Sequence, residues 1–340
     1  MKYYNAAEDN CMELTGIDAP RNNSGEYYRL VFSEREKYTK DNKDLAACLS
    51  GVRVRFNTDS PTVEIKAKMQ NCYKMLHFSA KGAYGFDIYC RSVGAPAKDR
   101  KYIGKMGQHF TSDTMLDQTA ELPEGSNEVT VIFPLYGGVK EFMIGVPDGY
   151  NVWAPCDYTV KHDICFYGSS ITQGGCAGRP GLSFANQLTL EVDASCRNLG
   201  FSGSAMGEQY VAEYIAGLDL SAFVMCYDYN APSVEHLLNT HEAFYKIVRA
   251  HHKDLPVVFI SHPYYDDAKE IDIKRREVVF STYSKAKESG ENVFYVNSED
   301  YFPGNNRHLF AVDNTHPNDL GHYFIARAVL PVLKQALKID

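Results

Sequence analysis

Along the second half of the chain, short wholly apolar runs alternate with longer stretches in which apolar positions return every three or four residues. The apolar runs are Ile164–Tyr167, Ala222–Tyr227, Val257–Ser261 and Val293–Val296. The periodic stretches cover roughly Ser183–Val192, Val234–Ala250, Lys269–Ser289 and Leu320–Leu337. Strands with no polar face, alternating with amphipathic helices, predict parallel βαβ units in an open α/β sheet of three layers. The first half follows a different pattern. Short apolar or alternating runs at Tyr28–Ser33, Val52–Asn57, Thr62–Lys68, Gly85–Arg91, Lys101–Lys105, Glu128–Phe133 and Val139–Val146 are separated by Gly, Pro, Asn and Asp. No long helical period interrupts them, which predicts an all-β sandwich or jelly roll. The pattern changes near Pro147–Lys161, dividing the chain into a β domain over residues 1–150 and an α/β domain over 160–340. The connection is short, so the two are expected to pack together.

Charge narrows the partners. The 340 residues carry a net charge of −8 with no Lys/Arg cluster. That argues against a nucleic-acid partner and gives no attraction to anionic membranes. No apolar stretch approaches the ~18 residues of a membrane-spanning helix. The N-terminal MKYYNAAEDNCMEL lacks the apolar core of a secretory signal. A cytoplasmic location is the expectation, with a removed leader left open. Nine cysteines occur without a CxxC pair, and Cys165 and Cys226 sit in apolar runs, so reduced, buried thiols are expected. No ligands cluster at the short spacing of a zinc site. Homo-oligomerisation stays open.

In open α/β sheets, ligands bind beyond the carboxyl ends of the strands, so the residues following each strand are the informative ones. The first strand runs into Gly168-Ser169-Ser170-Ile171-Thr172. A serine there is either a nucleophile near a helix N-terminus, which favours a developing oxyanion, or a plain helix cap. Asn198-Leu199-Gly200-Phe201-Ser202-Gly203 offers a glycine N–H to an oxyanion, or is a turn. Asp228-Tyr229-Asn230-Ala231-Pro232 offers an Asn amide, or ordinary turn chemistry. Asp313-Asn314-Thr315-His316 places an acid three residues before a base; the pair can orient an imidazole toward serine or serve structure alone. Singly each signal is weak. Together, in one domain, they supply every group that serine-based acyl transfer needs.

These residues resemble the four motif blocks of the SGNH hydrolases, the GDSL-type esterases, in order. The resemblance implies a flavodoxin-like catalytic domain with Ser170 as nucleophile, His316 as base and Asp313 as orienting acid. It implies an oxyanion hole from the Ser170 N–H, Gly203 and Asn230. Ser169 stands where the family usually has Asp, and the third block lacks its glycine and final Asp. Gly85-Phe86-Asp87-Ile88-Tyr89 resembles the Gly-x-Asp-Leu-Tyr signature of a β domain that precedes one SGNH subgroup. Two-domain members with such a β domain are often carbohydrate esterases. The resemblance therefore implies removal of short acyl groups, acetyl above all, from a small-molecule or oligosaccharide ester, with no cofactor and no metal. Tyr136, Tyr229, His262 and Tyr264 are candidates to line the substrate pocket; Tyr136 serves interdomain packing equally well. The alternatives are a broad small-molecule acyl esterase or thioesterase, and an inactive carbohydrate-binding protein.

Overall fold

The computed structural model describes residues 1–71, 75–104, 109–110, 115–266 and 269–339. Cys72, and Lys105 at the end of the expected strand Lys101–Lys105, lie outside the described residues.

The second half is built around a five-stranded, all-parallel sheet. Its order is Ala194–Gly200, Val160–Gly168, Leu220–Cys226, Val257–Ile260, Val293–Val296. In chain order this is 2-1-3-4-5, the flavodoxin-like arrangement, whose order reverses beside the first strand and opens a crevice there. The period-two alternation of each strand divides its side chains between two cores. Cys165, Tyr167, Phe223, Met225, Val257 and Phe259 pack against the helices Gln209–Ala216, Val234–His251 and Glu270–Glu288. Ile164, Phe166, Val224, Val258 and Ile260 pack against Phe184–Glu191 and Asp319–Leu337. Both faces are covered, which is why these strands read as uninterrupted apolar runs.

The first half forms two antiparallel sheets. One has the order Lys2–Asn5, Gly138–Val146, Thr62–Asn71, Met115–Glu121, His109–Phe110. The other runs Val152–Trp153, Arg53–Thr58, Asn127–Ile132, Asp87–Ser92, Lys101–Tyr102, with Glu13–Thr15 added beside Arg53–Thr58. Val63, Ile65, Phe142 and Ile144 of the first sheet share one core with Val54, Phe56, Ile88, Val129 and Val131 of the second. This is face-to-face packing of two sheets.

The second sheet is not half-wet. All six residues of Arg53–Thr58 are buried, because the face turned away from the sandwich core is covered by the α/β half at Arg53 and by Glu13 and the 151–158 segment at Arg55, Asn57 and Thr58. Arg53 donates to the Ala194 carbonyl at 3.0 Å and to Asn186 Oδ1 at 3.0 Å. Arg29, fully buried, donates through Nη1 to the carbonyls of Asn198 (2.7 Å) and Gly200 (2.8 Å), and through Nε and Nη2 to Cys48 and Leu45. Guanidinium forks thus hold the first parallel strand of the sheet order from outside.

One expected strand does not form. Tyr28–Ser33 leads instead into the 3₁₀ helix Phe32–Lys37. Tyr28 and Leu30 join the core of the α/β half while Arg29 turns to those carbonyls. Alternation of buried and polar side chains here reflects a segment wedged between the halves, not a ladder. The β half also contains short helices, Lys40–Ala46 and Ala80–Tyr84, capped by Thr39 and Ser79. They are too brief to leave a helical period in the sequence.

Candidate active site

The strand Val160–Gly168 ends where a Cβ on Gly168 would lie 2.2 Å from the Cys226 carbonyl oxygen and from Thr172 Oγ1. Only glycine allows so tight an exit. Ser169 follows in extended conformation, and its Oγ accepts the Ile171 N–H at 3.2 Å, capping the helix Ser170–Gln173. The adjacent serines therefore have different tasks. A hydroxyl caps about as well as a carboxylate, so a serine at 169 keeps this turn intact. Ser170 is the first helical residue; its N–H has no acceptor within the helix, and its Oγ lies 2.9 Å from His316 Nε2.

The loop carrying His316 folds back on itself. The Val312 N–H donates to the His316 carbonyl at 2.9 Å, the Asn318 N–H to Phe310 at 3.0 Å, and Ala311 bridges to Pro317. Asn314 takes a left-handed φ of 55°, which Asn tolerates better than most residues. This turn brings Asp313 Oδ2 to 2.9 Å from His316 Nδ1, while Asp313 Oδ1 accepts the backbone N–H of His316 at 2.8 Å. Burial pushes the Asp313 carboxyl up, but the His316 N–H and imidazole outweigh it and hold the group below its usual value. An ionised Asp313 fixes the imidazole proton on Nδ1. That leaves Nε2 as the acceptor facing the serine hydroxyl.

Gly203 adopts a φ of 68°, and a Cβ there would meet nothing within 4 Å, so its glycine requirement is conformational. Hydrogen bonds tie its loop to the serine helix. Gln173 Oε1 accepts the Ser202 N–H at 3.0 Å, and Asn198 Nδ2 donates to the Thr172 carbonyl at 2.7 Å. Asn230 Nδ2 donates to the Phe201 carbonyl at 3.0 Å, leaving the second amide N–H of Asn230 for another acceptor. The segments bearing Ser170, Gly203 and Asn230 are thus cross-linked through Gln173, Asn198 and the Asn230 side chain.

Three of the four candidate pocket residues line one cavity of about 320 Å³ beside the loop that carries Asp313 and His316. Tyr229, His262 and Tyr264 face Asp272 and Asp313–Thr315 across it. Asp228, fully buried, accepts both the His262 N–H (3.1 Å) and its Nδ1 (2.7 Å), and the His262 ring stacks near Tyr264 at 5.1 Å. The Tyr229 hydroxyl meets Thr315 Oγ1 at 3.1 Å. Tyr136 is elsewhere: buried, edge-on to Phe78, with its hydroxyl 3.5 Å from the Ser170 carbonyl. It packs beside the serine turn. His322 is a core residue. Its Nε2 lies 3.0 Å from the Gly175 carbonyl, its Nδ1 accepts the Phe184 N–H, and burial pushes its pKa down to about 4.

The Gly85–Tyr89 motif also reaches this region. Buried Asp87 accepts from Arg179 Nη1 at 2.7 Å and from the Gly181 N–H at 2.9 Å, and the Tyr89 hydroxyl accepts from Arg179 at 2.6 Å. From the same side Ser79 donates to the Gly178 carbonyl. The β half therefore fastens the loop that leaves the Ser170 helix. Sequence reasoning missed this role for Asp87, together with Gln173, Asp228 and Arg179. The Asp in the motif was the available signal, since a carboxylate fully buried in a strand needs a cationic or N–H partner.

No curated protein matches the chain. Among solved structures, a GDSL-like lipase candidate from Bacteroides ovatus superposes with a TM-score of 0.85 at 23% identity, over 100% of this chain and 98% of that one. The salicylyl-acyltransferase SsfX3 of a tetracycline biosynthetic pathway gives 0.78 at 18% identity, over 98% and 97%. An active site mutant of a family two carbohydrate esterase from Clostridium thermocellum gives 0.61 at 16% identity, over 86% and 94%. At these identities the likeness concerns the fold. Residues 1–152 match the model of the N-terminal region of SGNH-hydrolase-type esterases, GxDLY. Residues 161–334 match that of the GDSL-like lipase/acylhydrolase family. The chain belongs to the GDSL-like lipase/acylhydrolase family and is a carboxylic ester hydrolase.

Proposed function

We propose that the protein removes short acyl groups, acetyl in particular, from a carbohydrate ester through a covalent intermediate on Ser170. We also propose that the catalytic unit is residues 160–340 and that residues 1–150 form a jelly-roll-like support. The observation that carries the reading is the continuous relay from Ser170 Oγ through His316 to Asp313, with 2.9 Å at each side-chain step. In it, His316 Nε2 takes the hydroxyl proton as Ser170 Oγ bonds to the ester carbonyl carbon. The same proton passes to the sugar oxygen as the C–O bond breaks. Water then attacks the acyl-enzyme, His316 again accepting a proton, and the free acid leaves with Ser170 restored. Asp313 holds the tautomer and stabilises the imidazolium. The N–H groups of Ser170 and Gly203 and the spare N–H of Asn230 serve the oxyanion; in well-studied enzymes one such donor is worth about 10²–10³ in kcat.

Support for a sugar comes from the cavity at Asp313. Its volume suits a ring or two, and its walls are tyrosine and histidine rings beside carboxylates and hydroxyls, a surface that both stacks on a sugar and bonds its hydroxyls. A family two carbohydrate esterase of the same fold has been solved with cellohexaose. The test is released acetate from a panel of acetylated oligosaccharides, beside the 4-nitrophenyl esters of acetate, butyrate and octanoate. Acetyl preference with saccharide turnover is expected. Preference for octanoate would overturn the acetyl assignment, and no turnover of any ester would overturn the catalytic one. EDTA is expected to cost no activity.

A further inference from the structure

Three side chains far apart in sequence meet beside the His316 imidazole. His77, from the β half, Cys176, from the loop after the Ser170 helix, and His316 each offer a nitrogen or sulfur atom, and these atoms lie within 4.8 Å of one another. The His77 and His316 rings are 5.6 Å apart between centroids. We propose that these residues form an inhibitory site for a thiophilic divalent metal ion, Zn²⁺ above all, that switches the esterase off by occupying His316 Nε2.

The donor set argues for this class of ion. Two imidazoles and one thiolate, without a carboxylate, suit zinc and its neighbours and offer nothing to Mg²⁺ or Ca²⁺. A tetrahedral zinc with bonds of about 2.0–2.3 Å brings its ligand atoms to about 3.3–3.6 Å from one another. The cluster therefore closes by roughly an ångström around the ion. His77 is exposed and free to swing inward, whereas Cys176 and His316 are held by their loops. His316 presents the correct atom. Asp313 already occupies Nδ1, and a carboxylate on one imidazole nitrogen strengthens the other as a metal ligand. The feature that makes Nε2 a good proton acceptor for Ser170 makes it a good zinc ligand. Binding exchanges the Cys176 thiol proton for the metal, the proton passing to solvent, and leaves a fourth position for water or Ser170 Oγ. With Nε2 bound to the ion, no base remains for the serine. The inhibition rests on the proposed role of His316; the metal site does not.

The experiment separates the two. Co²⁺ titrated into the Ser170→Ala protein should give a thiolate-to-cobalt absorption band. That band should vanish in Ser170→Ala/Cys176→Ser and weaken in Ser170→Ala/His77→Ala. In the otherwise native enzyme, Zn²⁺ should inhibit 4-nitrophenyl acetate hydrolysis and EDTA should restore it. His77→Ala should retain basal activity and need at least tenfold more Zn²⁺ for half inhibition; its exposed position keeps the test valid if the Cys176 variant fails to fold. Absence of the cobalt band overturns the site. A band with equal Zn²⁺ sensitivity in native and His77→Ala enzymes overturns the link to inhibition. A band in a protein that cleaves no ester leaves the site standing and overturns the proposed function.

Discussion

The two halves carry their buried charge in opposite ways. In the α/β half, the groups proposed for chemistry gather at the carboxyl edge of a mainly apolar sheet that carries the ion pair Arg197–Asp163. Ser170, Gly203 and Asn230 each follow one of three strands, and Asp313 and His316 come from the loop before the last helix. In the β half, charge is set into the sheet itself: Arg53 and Arg55 are fully buried in one strand, Glu128 in the strand beside it and Asp87 in the next strand along. Most of these side chains serve contacts between elements or between halves rather than a ligand. The lesson is that an ionic motif marks function only when its partners are left incomplete. Asp313–His316–Ser170, with its acid exposed, ends on the Ser170 hydroxyl. Asp87–Arg179 ends on the protein's own backbone.

This contrast can be broken by experiment. The largest effect should come from Ser170→Ala or His316→Ala, each lowering kcat/KM for 4-nitrophenyl acetate by roughly 10⁴-fold or more with little change in melting temperature. A loss of stability comparable to the loss of activity would place these residues with the structural group. Arg29→Ala should do the reverse. It strands four backbone carbonyls and should cost at least about 3 kcal/mol in denaturant unfolding. Both halves should melt in one transition; two separate transitions in the native protein would show that the forks do not couple them. Asp87→Asn falls between. It loosens the loop after the serine helix and should lower kcat roughly ten- to hundredfold while KM for a small acetate ester stays near the native value. Unchanged kcat would restrict the motif to holding the halves together.

The smallest effect is on acid stability. Burial pushes His241 and His322 down to about 4, so both are neutral in the fold. The unfolded chain takes up these protons near pH 6.5. Their contribution is therefore complete above about pH 6.5 and declines as pH falls toward 4. The melting temperature should drop between pH 7 and 5, and less steeply in His241→Phe.

Much of the α/β half was legible because its signals are local. Strand Val293–Val296 forms where the apolar run predicts it. The helix Val234–His251 begins at the expected residue, where Ser233 caps it. The helix Gln209–Ala216 went unpredicted, although Phe184–Glu191, of the same eight-residue length, did not. In the β half, the run at Tyr28–Ser33 looks like a strand only until its partner is known: the acceptors for Arg29 lie about 170 residues away. The meeting of His77, Cys176 and His316 has no spacing to detect, since each comes from a different segment. Hydrophobic period reports which face an element buries. It is silent on which distant carbonyl or imidazole that face will meet.

The placement of Arg29 and Arg53 also has a consequence in time. A ribosome delivers the β half first, at about 5–20 residues per second, and the carbonyls of Ala194, Asn198 and Gly200 follow only later. Until they arrive, two guanidinium groups destined for full burial have lost their chief acceptors and keep water instead. The outer face of the second β sheet thus stays hydrated while the nascent chain lengthens, and it dries when the first parallel strands dock. The N-terminal half is made first but is complete only once residues 194–200 have been added.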